Sequence, residues 1–221
     1  MKHIIGLAAM LLPILSALAQ ESPQGKIISA KGIAAQTKEI DPFYIGDRFP
    51  DLTLKNIINY KDSVAALSSF GDKIIILDFW NIHCTSCIYM FPLEDSLQTM
   101  FPDDVQFILI TSDKKEQVAR FLTKYNGMRN QPLSLPVITN DQVLSRMFRF
   151  TYIPHYVWLA PNGLILAESS DYFINKENIV NTLVPIREEE ARLHGKRYAD
   201  FNLHMQKPTK ELLQLLSSID N

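Results

Sequence analysis

The stretch ILDFWNIHCTSCIYMFP, residues 76–92, holds both cysteines of the 221-residue chain, Cys84 and Cys87. The apolar, β-branched run KIIILDFW (Lys73–Trp80) predicts a central strand that is buried on both faces. From Thr85 to Met100, apolar residues recur at near-helical spacing, which predicts a helix that starts at the cysteine pair. The two thiols therefore lie where a buried strand passes into a helix.

This position suits dithiol–disulfide exchange. Unpaired backbone N–H groups and the helix dipole stabilise a thiolate at a helix N-terminus, which favours Cys84 as the attacking residue. Cys87 follows one helical turn later and can attack the mixed disulfide that Cys84 forms. The sequence thus predicts a redox-active disulfide, Cys84–Cys87, and no other cofactor.

Other uses of the two thiols stay open. A zinc site needs about four ligands, but the chain has no second cysteine pair, and only His83 lies near the first. Copper could be bound by the two cysteines and a histidine. A purely structural disulfide is the third alternative, although its loop is too short to remove much entropy from the unfolded chain. We expect no metal site.

The first residues, 1–19, have the pattern of a secretory signal peptide. Lys2 precedes an apolar run from Ile4 to Leu18, and small residues lead to a cleavage site near Ala19. The run is shorter than the ~20 residues of a membrane-spanning helix, and Pro13 interrupts it. We therefore expect the mature protein in the periplasm or another extracytoplasmic compartment, where thiols tend to oxidise.

Charge and composition narrow the class of partner. The formal net charge is −2, so no basic field attracts nucleic acid or an anionic membrane. The length and the 47% hydrophobic content fit one soluble globular domain with appendages. We expect a monomer that binds no nucleic acid.

The remaining pattern predicts an α/β domain with extensions at both ends. A lead segment, residues 20–44, with one edge strand near Lys26, precedes a domain over residues 45–185, and a tail of polar helices outside the core follows over residues 186–221, split near Gly195 and Pro208. Within the domain we expect a short hairpin after Ile45, then a strand over VQFILIT (105–111) and a helix over KKEQVARFLTKY (114–125). An extended LPVIT (135–139) and a short helix over NDQVLSRMF (140–148), capped by Asn140, should follow. The last predicted elements are two strands in PHYVWLAPNGLILAES (154–169) around a Pro-Asn-Gly turn and a closing helix over NKENIVNTLV (175–184).

Over Ile45–Val184 the chain resembles the secreted TlpA-like thiol–disulfide oxidoreductases of the thioredoxin superfamily. Four segments carry the resemblance in the right order: IGDRFPDLTL (45–54), DFWNIHCTSC (78–87), Pro92 as the proline that kinks the active-site helix, and TYIPHYVWLAPNG (151–163). The resemblance implies a thioredoxin fold, that is, a central mixed β-sheet flanked by helices, with an N-terminal hairpin and a helical C-terminal tail.

The resemblance also implies roles for residues around the thiols. Asp78 matches the buried acid that shuttles the proton of the resolving cysteine, and desolvation should raise its pKa; the alternative is a strand-end Asp bonded to nearby backbone. The Ile153–Pro154 bond would be cis and face the cysteines, so that the Ile153 backbone pairs with a substrate strand. The alternative for Pro154 is an ordinary edge-strand proline.

Three more side chains are candidates for the site. His83 stands where the family has tryptophan, and His155 stands where it has threonine. Either imidazole could lie near the sulfurs and, when protonated, stabilise a thiolate; the alternative is two surface histidines without a role. Trp80 is expected to pack beneath the site and shape it. Thr85 and Ser86 replace the usual Gly-Pro between the cysteines.

The function predicted is thiol–disulfide exchange with protein clients in the cell envelope. In the family that it resembles the usual direction is disulfide reduction, fed by a membrane electron donor. A copper-binding or copper-delivery module that uses the same thiols is one alternative, and a non-catalytic adaptor whose tail binds partners is another. A peroxiredoxin-type antioxidant would need Thr or Ser three residues before the attacking cysteine, where this chain has Asn81.

Overall fold

The computed structural model describes residues 40–192 and 207–218. The strands of this part of the chain are β1 (Thr53–Leu54), β2 (Ile57–Ile58), β3 (Ala65–Ala66), β4 (Ile74–Phe79), β5 (Val105–Ile110), β6 (Val137–Ile138), β7 (His155–Leu159) and β8 (Ile165–Ser169). Its α-helices are α1 (Thr85–Met100), α2 (Lys115–Gly127), α3 (Leu144–Met147), α4 (Lys176–Arg192) and α5 (Lys210–Ser217). The predicted signal peptide, lead segment, edge strand near Lys26 and break at Gly195 lie outside the described residues.

The main sheet has six strands in the order β2-β6-β5-β4-β7-β8. Strands β4, β5 and β6 run parallel, whereas β2, β7 and β8 pair with their neighbours in antiparallel fashion. The two remaining short strands, β1 and β3, form a separate antiparallel pair, which corresponds to the predicted hairpin. The predicted central mixed sheet flanked by helices is confirmed, and all six residues of β4 are buried.

Two hydrophobic layers cover the faces of this sheet. One face of β4, with Leu77 and Phe79, packs against the segment before β4 and against α3. The opposite face, with Ile74 and Ile76, packs against α1, α2 and α4. Because successive strand side chains alternate, Asp78 points to the layer of Ile76, beneath α1.

Two boundaries differ from the sequence pattern. Pro185, the expected end of the domain, lies inside α4, which continues to Arg192. The tail was expected outside the core, but Leu212, Leu215 and Leu216 of α5 pack against the layer that contains Phe79. No helix in the described ranges is both long and apolar enough to cross a membrane.

The prediction that Asn140 caps α3 is wrong. The side chain of Asp141, not Asn140, binds the start of this helix: its carboxylate accepts three backbone N–H groups, those of Val143, Leu144 and Ser145, at 3.1, 2.9 and 2.8 Å. Asn140 instead adopts a left-handed backbone conformation with φ of 55°. The helix is consequently shorter than predicted and begins at Leu144.

We predict that Asp141→Ala lowers the free energy of unfolding by roughly 2 kcal/mol, because three backbone donors lose their acceptor. Asp141→Asn should cost less, since one amide oxygen can still accept. Urea denaturation of the two variants measures the difference, and Gln142→Ala, at the exposed neighbouring position, is the control. A loss for Asp141→Ala no larger than that of the control would contradict this account of the cap.

Candidate active site

Cys84 and Cys87 form a disulfide at the N-terminus of α1, with 2.01 Å between the sulfurs and 5.3 Å between the Cα atoms. Cys84 precedes the helix in an extended conformation, and its Sγ accepts the backbone N–H of Cys87 at 3.2 Å. Cys84 is half-buried, whereas Cys87 is fully buried in the layer beneath α1. An outside sulfur can therefore reach Cys84 but not Cys87.

The loop that leads from β4 to Cys84 is held by hydrogen bonds. The Asp113 carboxylate accepts the backbone N–H of Ile82 at 2.8 Å and the hydroxyl of Thr111 at 2.9 Å. The Asn81 carbonyl accepts the backbone N–H of Cys84 at 3.1 Å. Sequence reasoning missed Asp113, although a polar residue just after a buried parallel strand is a usable signal, since the carboxyl ends of neighbouring parallel strands meet at one edge.

Asp78 is completely buried, and neither of its carboxylate oxygens has a hydrogen-bond partner among the described residues. Burial, and secondly the charge of Glu94, raise the pKa of Asp78 well above its ordinary value. This agrees with the predicted effect of desolvation. The alternative of a strand-end Asp bonded to backbone is wrong.

Glu94 is a second buried carboxyl group that sequence reasoning missed. It lies on α1, is fully buried, and accepts a hydrogen bond from the hydroxyl of Tyr156 at 2.7 Å. Burial raises the pKa of Glu94 to about 8; the Tyr156 hydrogen bond acts in the opposite direction, and the charge of Asp95 adds to the rise. The spacing from Cys87 to Phe91 to Glu94 is a helical one, and it could have placed Glu94 on the buried face.

Tyr156 joins the two carboxyl groups into one cluster. It pairs directly with Asp78 across β4 and β7, so the two side chains share a face of the sheet. Burial, then the charges of Asp78 and Glu94, raise the pKa of Tyr156, so its hydroxyl stays a donor. We call Asp78 and Glu94 the acid pair; within the described residues no salt bridge reaches either of them.

The Ile153–Pro154 peptide bond is cis, as predicted. His155, the first residue of β7, pairs with Phe79, the last residue of β4, so Pro154 lies at the same end of the sheet as the loop to Cys84. Ile153 is half-buried against both hydrophobic layers. Pairing of its backbone with a client stays a prediction.

His155 does not have the environment expected of it. Its ring is buried, stacks on Phe150 at 4.7 Å, and places Nε2 3.2 Å from a carboxylate oxygen of Glu168. Burial lowers the pKa of His155 to about 4 and raises that of Glu168, so the contact is a hydrogen bond of a neutral imidazole rather than an ion pair. His155 shares the face of Phe79, opposite Asp78, because strand side chains alternate. His155 is therefore not a surface histidine, and its burial argues against the predicted protonated imidazole.

His83 and Trp80 occupy the two sides of the loop. His83 is exposed next to Cys84, and its backbone N–H is bound by the Asn81 side chain at 2.9 Å. Trp80 is buried; its ring packs edge-to-face on Phe91, with 4.9 Å between ring centroids, and at a tilt on Phe121, with 5.5 Å between centroids. Its contacts shape the layer under α1, as expected. Among the described residues, no group of three or more His, Cys, Asp or Glu side chains is arranged to hold a metal ion.

The sequence profile of the AhpC/TSA family matches residues 45–182. No curated protein sequence is significantly similar to the chain. Among solved structures, the chain is similar to a protein assigned as the thiol:disulfide interchange protein DsbE of Chlorobium tepidum, with 21% identity, a TM-score of 0.52, and coverage of 63% of this chain and 96% of that one.

Two Bacteroides structures show the same likeness. One is the C-terminal domain of a protein assigned as a thiol-disulfide oxidoreductase of Bacteroides thetaiotaomicron, with 18% identity, a TM-score of 0.51, and coverage of 69% and 99%. The other is a thiol-disulfide oxidoreductase of Bacteroides fragilis, with 17% identity, a TM-score of 0.50, and coverage of 62% and 99%. The chain therefore belongs to the AhpC/TSA family, and the thioredoxin fold is confirmed.

We predict that Asp78→Asn stabilises the oxidised protein in alkaline solution. The folded-state pKa of Asp78 lies above its unfolded value of about 3.9, so the folded state binds more protons than the unfolded state. The resulting stability is fully present below the unfolded pKa and is lost as pH rises through the folded pKa. The neutral amide removes this loss, so the free energy of unfolding of the variant should exceed that of the wild type by at least about 1 kcal/mol at pH ~9.

Urea unfolding of both proteins at acidic, neutral and alkaline pH measures the effect. Asp103→Asn, the same chemical change at an exposed position, should follow the wild-type pH dependence. Parallel curves for Asp78→Asn and the wild type would show that the buried carboxyl group carries no such cost.

Proposed function

We propose that this protein exchanges thiols and disulfides with protein clients through Cys84 and Cys87, in the reducing direction. The proposal rests mainly on the unequal exposure of the two sulfurs. Cys84 is reachable from solvent, whereas Cys87 is buried in the hydrophobic layer toward which Asp78 also points. One accessible sulfur makes the bond to the client, and one protected sulfur resolves it.

The steps balance in atoms and electrons. In the reduced protein the Cys84 thiolate attacks a client disulfide, which releases one client thiolate and forms a mixed disulfide. Cys87 gives its proton to the Asp78 carboxylate, through a bridging water if the groups do not touch. The Cys87 thiolate then attacks the Cys84 sulfur, the bond to the client breaks, and the second client thiolate leaves. Two electrons have passed to the client, and Cys84–Cys87 is a disulfide again.

We also propose that exchange takes place in the cell envelope, with a membrane protein as the electron donor and the chain acting as a monomer. The pattern of residues 1–19 supports export. The similar structure assigned as DsbE is described as a thiol:disulfide interchange protein, which agrees with the exchange chemistry. The sulfurs must be reduced again after each turnover, so a dithiol donor is required in a compartment that oxidises thiols.

The alternatives receive less support from the site. Asn81, three residues before Cys84, uses its side chain to bind the His83 backbone, and no hydroxyl stands where the peroxidase signature needs one. For copper, the imidazole of His155 is committed to Glu168, which leaves the exposed His83 as the nearby histidine. Because the chain belongs to the AhpC/TSA family, peroxide should be tested as a substrate alongside protein disulfides.

We predict that residues 20–221 reduce insulin disulfides with dithiothreitol as donor, and that Cys84→Ser abolishes turnover because it removes the reachable thiol. Cys87→Ser should retain the first attack and accumulate mixed disulfides, visible on diagonal gels. Ser96→Ala, at an exposed position of the same helix, is the control and should retain wild-type turnover. Turnover in Cys84→Ser, or peroxide consumption in place of insulin reduction, would refute the proposal; one tightly held copper per chain would favour the copper module.

We predict that Asp78→Asn forms the mixed disulfide normally but resolves it ~10²-fold more slowly at neutral pH, the usual scale of general acid–base catalysis. The deficit should shrink as pH rises, because Cys87 then ionises without help. Stopped-flow kinetics of the wild type and the variant from mildly acidic to alkaline pH measure both steps. A resolving rate that is the same in the two proteins would make Asp78 a structural residue.

A further inference from the structure

The acid pair is a cluster that the exchange steps use only in part. Asp78 takes the proton of Cys87, but Glu94 has no role in that scheme. Of the four oxygens of the pair, only Oε1 of Glu94 has a hydrogen-bond partner among the described residues, the hydroxyl of Tyr156. Two buried carboxyl groups with so few partners need a physical account, because burial of even one unpaired charge is strongly unfavourable.

Within residues 40–192 and 207–218, no positive charge compensates the pair. Three titratable groups from the surrounding elements interact electrostatically with the pair or with Tyr156: Asp95 on α1, Tyr125 on α2 and Asp171 in the turn before α4. Cys87 lies in the same buried layer. The Arg129 guanidinium acts on Tyr125 and donates to its hydroxyl at 2.7 Å. Like charges that share a buried site cannot both ionise readily, so the pair holds at most one negative charge near neutral pH.

We propose that Glu94 is a positioning residue of the redox site that acts through Asp78: held by Tyr156, it competes with Asp78 for the single negative charge and thereby keeps the proton on Asp78. The inference rests on the proposed thiol–disulfide exchange. The Tyr156 hydroxyl stabilises the charge on Glu94 only, because no donor reaches Asp78 among the described residues. Burial, and secondly the charge of Glu94, raise the pKa of Asp78, which agrees with Glu94 ionising before Asp78.

A protonated Asp78 has a use when the disulfide is reduced. A donor dithiol supplies two electrons, the Cys84–Cys87 bond breaks, and the donor becomes a disulfide. Cys84 leaves as a thiolate at the helix N-terminus, and the buried Cys87 sulfur takes the proton of Asp78. This transfer leaves both carboxyl groups of the acid pair charged, a transient state that ends when Cys87 returns its proton to Asp78. Glu94 thus raises the fraction of Asp78 that carries a proton to donate and lowers the fraction that is ionised and can accept the proton of Cys87.

The test is the titration of Asp78 in the oxidised protein, followed by NMR of carboxyl carbons in ¹³C-labelled aspartate. The Asp78 resonance is the one absent from Asp78→Asn. In Glu94→Gln the midpoint should fall by one pH unit or more, an about tenfold change in the acid dissociation constant. Tyr156→Phe, which removes only the donor to Glu94, should move the midpoint in the same direction by a smaller amount, and it serves if Glu94→Gln does not fold. Glu116→Gln, at an exposed position of α2, should leave the midpoint unchanged.

A kinetic readout separates this role from a merely structural one. The acid limb of the resolving step should move to lower pH in Glu94→Gln by the same amount as the Asp78 midpoint, so resolution at mildly acidic pH becomes faster. An unchanged or raised Asp78 midpoint in both variants would overturn the proposal, and so would a resolving rate that falls in Glu94→Gln at every pH. The NMR titration needs no client, so a failure of insulin reduction and a failure of the charge coupling are separate results.

Discussion

The burial of two carboxyl groups between β4 and α1 is the constraint on which the site depends. Asp78 and Glu94 are both inaccessible to solvent, and the described residues offer them one hydrogen bond, from Tyr156. Such an arrangement is costly and persists only where surrounding packing keeps water out. The central position of β4, paired on both sides, and the aromatic contacts of Trp80 and Phe91 supply that packing. The fold therefore places two buried carboxyl groups on the face of the sheet that packs against α1 and Cys87.

The same layer makes the two sulfurs unequal. Because α1 packs on the sheet through its face with Cys87 and Phe91, the second cysteine enters the hydrophobic layer, while Cys84 stays in the loop before the helix. Because Cys87 is fully buried, the proposed exchange moves its proton to Asp78, which lies on the same face of the sheet. The position of the acid pair and the asymmetry of the disulfide are thus two consequences of one strand–helix junction.

Much of this junction could be predicted from local sequence, and the rest depends on contacts between distant residues. The strand around Asp78 and its burial follow from a continuous apolar run, and the helix from Thr85 follows from periodicity. Glu94 was missed because glutamate in a helix usually faces solvent, and its burial depends on Tyr156, 62 residues away. The buried environment of His155 depends on its register with Phe79, which the sequence alone does not give.

The equilibrium between the Cys84–Cys87 disulfide and its dithiol tests the central claim most directly. The oxidised protein would be titrated with buffers of reduced and oxidised glutathione and dithiothreitol, and the free thiols counted by alkylation. The account predicts a reversible two-electron transition within the range of these buffers, because Cys84 is reachable and its thiolate is stabilised at the helix N-terminus. A disulfide that stays oxidised throughout the series while the protein remains folded would be structural, and the redox account would be contradicted.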